Sequence, residues 1–188
     1  GGDILVSVGK SQTDTGGAVD ISAGYSGSFT GGAISLTTGE GTADTSGAVV
    51  VRTLNAGTVG TSGMLSFTSG TTSSGSSGHF ELYTGSATNG KGGDFLLSIG
   101  SGTTYTGGDI IMKAGTSTAS ATGTGGAVSV TTGYGEPTSS GAMIVVTPDA
   151  GASGVSGALS FTTGTTSSGG SGMIQVATGS ATNGEGGD

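Results

Sequence analysis

The chain predicts an all-β fold, a β-solenoid of about twelve 15-residue coils, from three regularities. Glycine recurs at a fixed place in every short repeat. Apolar residues alternate at period two just after it. The pattern is too thin to bury a core except by stacking on copies of itself.

Cutting before each Gly-Gly or Ser-Gly gives repeats starting at Gly1, Gly16, Gly31, Ser46, Ser62, Ser77, Gly92, Gly107, Gly125, Ser140, Ser156 and Ser171. Most hold 15 residues; two hold 16 and one holds 18. Slot two is always glycine, which marks a backbone position with positive φ or one too crowded for a Cβ. Slot four reads Ile4, Val19, Ile34, Val49, Leu65, Phe80, Phe95, Ile110, Val128, Met143, Leu159 and Ile174. Slot six reads Val6, Ile21, Leu36, Val51, Phe67, Leu82, Leu97, Met112, Val130, Val145, Phe161 and Val176. Alternation of this kind over about six residues predicts a strand with one buried face. A helix would need apolar spacings of three and four, and glycine at this density opposes it.

Each repeat would then supply a strand, a turn, a return strand and a second turn. Successive coils about 4.8 Å apart would build a two-sheet flattened rod on the order of 58 Å long. The structural core would be the slot-four and slot-six columns, with Phe80 stacked on Phe95 and with Phe67 and Leu82 beside them. A longer period overlies the short one. Ser62–Gly75 matches Ser156–Gly169, and Gly85–Gly90 recurs letter for letter at Gly179–Gly184. The expected organisation is one continuous solenoid of two six-coil super-repeats, 1–91 and 92–185, with 186–188 starting the next coil. The eighth repeat departs from the pattern, its Ser117–Thr124 stretch carrying three extra residues as a bulged loop.

Composition narrows the function classes. Glycine is 44 of 188 residues, aromatics 5% and charged residues 9%, so a thick globular core is excluded. Disorder is the rival reading for such a chain, and the two unbroken apolar columns argue against it. With no cysteine, disulfides and thiolate metal sites are unavailable. Four basic residues in a chain of net charge -8 do not make a nucleic-acid surface, which needs clustered Lys and Arg. The longest apolar run, Ala142–Val146, is too short for membrane insertion as a spanning helix.

Candidate chemistry is sparse. His79 is the single histidine and has no nucleophile recurring near it, which favours a surface role over catalysis. Asp3, Asp94, Asp109 and Asp188 share slot three, and stacked coils would bring Asp94 and Asp109 about 5 Å apart, within reach of a shared hard cation. They are the weak metal candidates; the glycine-rich calcium-roll motif is not matched. No phosphate-binding Gly-x-x-x-x-Gly-Lys-Ser/Thr occurs, and no carboxylate cluster of the kind that cleaves polysaccharides. The expectation is a non-enzyme with no catalytic residue and no cofactor. Asn-Gly at 89–90 and 183–184 signals turns. Slots five and seven carry Ser35/Thr37, Ser66/Thr68, Ser129/Thr131 and Ser160/Thr162, a Thr array of the kind that binds ice. Val50/Arg52, Glu81/Tyr83 and Ile111/Lys113 interrupt it.

The phrases SGALSFTTGTTSSGGSG (Ser156–Gly172) and GSATNGKGGDFLLSIGSG (Gly85–Gly102) resemble the Gly/Ser/Thr-rich tandem repeats of large surface proteins in diatoms, oomycetes and other algae. The resemblance spans the chain and implies secretion. A weaker similarity links it to algal ice-binding repeats and viral tail fibres. The expected role is a structural repeat module of an extracellular filament or cell-surface fibre, with an ice-binding or surface-adhesion solenoid as the alternative. Gly186-Gly187-Asp188 restarts the phrase at Gly1-Gly2-Asp3, so the expected partner is the chain itself, head to tail, or the rest of a longer parent. O-linked glycans are a further expected decoration. N-linked ones are excluded, because none of Asn55, Asn89 and Asn183 begins Asn-x-Ser/Thr.

Overall fold

A computed structural model of the chain describes residues 2–104, 106–119, 122–136 and 138–187. Among the described residues there is neither helix nor strand; the backbone is coil, interrupted by bends. The expected all-β solenoid, with its two-sheet flattened rod, is therefore not the fold. The chain divides into two parts, Gly1–Phe95 and Leu96–Asp188, and the division falls four residues into the seventh repeat.

What the repeat builds instead is a chain reversal. In the first part the bends lie at 12–14, 27–29, 42–44, 58–60, 73–75 and 88–90. Each bend lets the slot-two glycine of one repeat return to the slot-eight residue of the repeat before it. A Cβ at Gly17 would meet Val8 Cβ at 3.4 Å, one at Gly32 would meet Ala23 Cβ at 3.3 Å, and one at Gly47 would meet Thr38 Cβ at 3.2 Å. Gly63 faces Thr53, Gly78 faces Ser69 and Gly93 faces Thr84 in the same way. In the second part Gly108 faces Ile99, Gly126 Ala114, Gly141 Thr132, Gly157 Thr147, Gly172 Thr163 and Gly187 Thr178.

The register of these approaches is antiparallel. Gly31 lies against Gly24 and Gly32 against Ala23; Gly92 against Gly85 and Gly93 against Thr84; Gly186 against Gly179 and Gly187 against Thr178. A step forward on one arm is matched by a step back on the other. A parallel solenoid would instead set equal slots of successive repeats over one another. The aromatic rings agree with the reversal: Phe67 packs on Phe80 with centroids 6.3 Å apart, one step beyond the Ser69–Gly78 approach. Phe80 was expected on Phe95; its ring partner is Phe67.

Four reversals are fixed by a backbone hydrogen bond. The N–H groups of Gly32, Gly47, Gly126 and Gly141 donate to the carbonyls of Gly24, Gly39, Gly115 and Gly133 at 2.9, 3.1, 2.9 and 2.9 Å. The Gly126–Gly115 bond closes the long eighth repeat, so its extra residues do not prevent the reversal. Of its expected bulged loop, Ser120 and Ala121 lie outside the described residues. Elsewhere among the described residues no backbone bond joins the arms, so no ladder grows from the reversals. A lone two-stranded pair is marginal in water, and the slot-two glycine, joined in most repeats by one at slot nine, adds backbone entropy at its closed end.

Crowding accounts for the slot-two glycine at Gly32, Gly47, Gly63, Gly93, Gly108 and Gly126, where a Cβ would come within 3.3 Å of its neighbour. None of these glycines has positive φ, whereas Gly60, Gly75 and Gly169 do, at 127°, 110° and 112°. Gly75 and Gly169 end the same turn built twice. In the first copy the Thr72 hydroxyl donates to the Ser74 carbonyl at 2.9 Å and accepts from the Ser74 N–H at 3.3 Å. In the second, Thr166 and Ser168 repeat this at 3.0 and 3.3 Å. The longer sequence period is therefore also a period in local geometry.

Both apolar columns are exposed, which corrects the expected core. Val49 and Val51, expected to point inward, are 61% and 58% accessible, and no described residue is buried. The accessible surface is 18548 Å². A compact protein of this mass would expose about 7,900 Å², and a fully extended chain roughly 25,000 Å². In dilute solution the chain is expected to give a coil-type far-ultraviolet circular dichroism spectrum and fast amide exchange throughout. Gly32, Gly47, Gly126 and Gly141 should be the slowest amides. A strand spectrum with protected amides at Val49 and Val51 would refute this fold.

Candidate functional site

The reversal gives each repeat an inner face, formed by slots four, six and eight. Slot eight meets the returning glycine, and the Phe67–Phe80 pair shows slots six and four of neighbouring repeats meeting on the same side. Exposure follows this division in the middle repeats, though not at Ile4 and Leu5 in the first. Ile110 is 52% accessible and its neighbour Ile111 83%; Leu97 is 55% and its neighbour Leu96 86%. Equivalent side chains one residue apart differ because the backbone is extended and successive side chains alternate. The inner face is partly screened by the reversal and still largely wet.

The polar face is assembled from local pairs. Glu81 Oε1 lies 3.1 Å from His79 Nε2. Slots three and five meet here because residues two apart share a side of an extended chain. Both groups are exposed, and the contact is an ion pair only when the imidazole is protonated. No described Ser, Thr or Lys completes a nucleophile–base pair with His79, whose geometry is that of a surface pair.

Asp94 is engaged in a different way from that expected. Lys91 Nζ donates to Asp94 Oδ2 at 2.7 Å. A lysine three residues away thus supplies the positive charge that a shared cation would have supplied. Among the described residues there is no group of three His, Cys, Asp or Glu side chains placed to hold a metal ion. Asp94 belongs to the first part of the chain and Asp109 to the second, and Asp188 lies outside the described residues. The Lys91-x-x-Asp94 spacing was the available signal for the ion pair.

Other polar side chains serve their own bends. The Ser11 hydroxyl accepts from the Asp14 N–H at 2.9 Å and that of Ser26 from the Phe29 N–H at 3.0 Å. Asp14 Oδ1 accepts from the Thr15 N–H at 2.8 Å, and Asp44 Oδ1 from both the Thr45 N–H and the Thr45 hydroxyl at 2.8 and 3.0 Å. These bonds offer the backbone a local alternative to a ladder, which is why Ser, Thr and Asp gather in bends.

No cavity is present among the described residues, so the surface features available are the inner apolar face and these exposed polar pairs. Calcium titrated into the protein is expected to give no binding heat. Saturable heat that the Asp94→Asn substitution abolishes would overturn that expectation. Neither a family model, nor a curated protein, nor a solved structure matches the chain.

Proposed function

We propose that the chain is a non-enzymatic structural repeat module of an extracellular filament or cell-surface fibre, and that its partner is further copies of the same repeat. One observation carries this reading: repeat after repeat places apolar side chains at slots four and six, beside a slot eight that is mostly threonine, and leaves them uncovered. Covering the slot-four and slot-six side chains completely is worth up to roughly 3–6 kcal/mol per repeat. Individually that is weak against the cost of ordering backbone; summed over an array it favours association. Low charge density supports the same direction, since 16 charged side chains in 188 residues oppose close approach only weakly.

The surface location rests on the repeat-type resemblance, and exposed Ser and Thr hydroxyls are accessible to O-glycosylation there. The ice-binding alternative is not favoured. A lattice match needs threonines held in a flat array by a ladder, and the Ser/Thr-rich repeats have no strand among the described residues.

Sedimentation velocity should show concentration-dependent growth, and negative-stain images of native material should show filaments. Replacing Ile110 and Met112 together by Asp should raise the concentration needed for assembly several-fold. Short monodisperse particles from the native source at all concentrations would overturn the proposal. Thermal hysteresis is expected to be absent; strong ice-growth inhibition would reverse the ranking of the two readings.

A further inference from the structure

We propose that Asn89 and Asn183 are sites of spontaneous conversion to aspartate and isoaspartate, one in the last repeat of each six-repeat set. The observation is independent of any assembly. Both asparagines sit inside exposed bends, 88–90 and 182–184, and each is followed by glycine. Among the described residues the amides of Gly90 and Gly184 donate no hydrogen bond to backbone or side chain. Nothing lies within 4 Å of the Cβ position of Gly184, and only Ala87 Cβ, at 3.9 Å, lies near that of Gly90.

The chemistry follows from that freedom. The glycine amide nitrogen loses its proton to hydroxide and attacks the asparagine Cγ. A C–N bond forms, the bond from Cγ to the side-chain nitrogen breaks, and ammonia leaves. Water then opens the five-membered imide at either carbonyl, giving aspartate or, with the backbone rerouted through the side chain, isoaspartate. The reaction needs no oxidant, metal or enzyme. What it needs is a backbone able to bend the amide onto Cγ, which a ladder would forbid and this coil permits.

The third asparagine is an internal control. Asn55 is followed by Ala56, one of the few residues that is not fully exposed, and its methyl group hinders the same attack. Each conversion replaces a neutral amide by a carboxylate, taking the formal charge from -8 to -10 when both are complete, since -8 - 2 = -10. At Asn89 the new carboxylate stands beside the Lys91–Asp94 pair, while at Asn183 the corresponding neighbour is Glu185. The chain therefore acquires charge with age at two fixed points of its longer period.

The test uses the full chain, incubated at neutral and mildly alkaline pH, with ammonia release and peptide mapping that distinguishes aspartate from isoaspartate. Asn89 and Asn183 should convert several-fold faster than Asn55, at a rate that rises with hydroxide. Gly90→Ala and Gly184→Ala, which the space at both positions admits, should each slow their own site several-fold and leave the other unchanged. Survival of Asn89 and Asn183 for as long as Asn55 would overturn the proposal. So would an unchanged Asn89 rate in the Gly90→Ala chain.

Discussion

Every reversal depends on one close approach, between the slot-eight side chain of a repeat and the backbone of the glycine nine to twelve residues later. At Gly47 the space left for a Cβ ends 3.2 Å from Thr38, and at Gly108 it ends 2.7 Å from Ile99 Cγ2. At such tight positions a larger residue at slot two would push the arms apart. The bends are held by their own hydroxyls and carboxylates, and at Gly41 and Gly135 the backbone carbonyls of the bend leave no room for a Cβ. The approach is tightest at Gly32, Gly47 and Gly108, while at Gly78, Gly141, Gly172 and Gly187 a Cβ would make ordinary contact with the facing side chain.

Such a contact fixes direction without providing a core. It screens part of slots four and six, enough to separate Ile110 from Ile111 in exposure, and leaves both apolar columns in water. The free energy that would come from burying them is therefore unrealised within the folded chain. That leaves an array of small, regularly spaced apolar faces with little charge to keep neighbours away, which is the physical basis for reading the chain as a component of something larger.

Part of this was legible in the residues. The short and long periods recur in the structure, as the regularly placed bends and the twin Thr72/Ser74 and Thr166/Ser168 turns show. What failed was the step from alternation to a stacked sheet. Period two reports that a backbone is extended and two-faced; it does not say which segment lies beside it or in which sense. The column at slot eight carried the missing signal. Val8, Ala23 and Thr38 are each followed at once by glycine, and each faces the slot-two glycine of the next repeat. The expected Asp94–Asp109 spacing rested on a parallel stack, whereas the partner of Asp94 in the structure, Lys91, lies three residues away in the sequence.

Because every reversal closes on the repeat just before it, loop-closure entropy is small and does not grow with the number of repeats. Each turn can form as soon as its own residues have left the ribosome, without waiting for distant partners. Gain or loss of a whole repeat by recombination would disturb a single junction. Copy number is then a quantity that selection can adjust freely, and length becomes an evolvable trait.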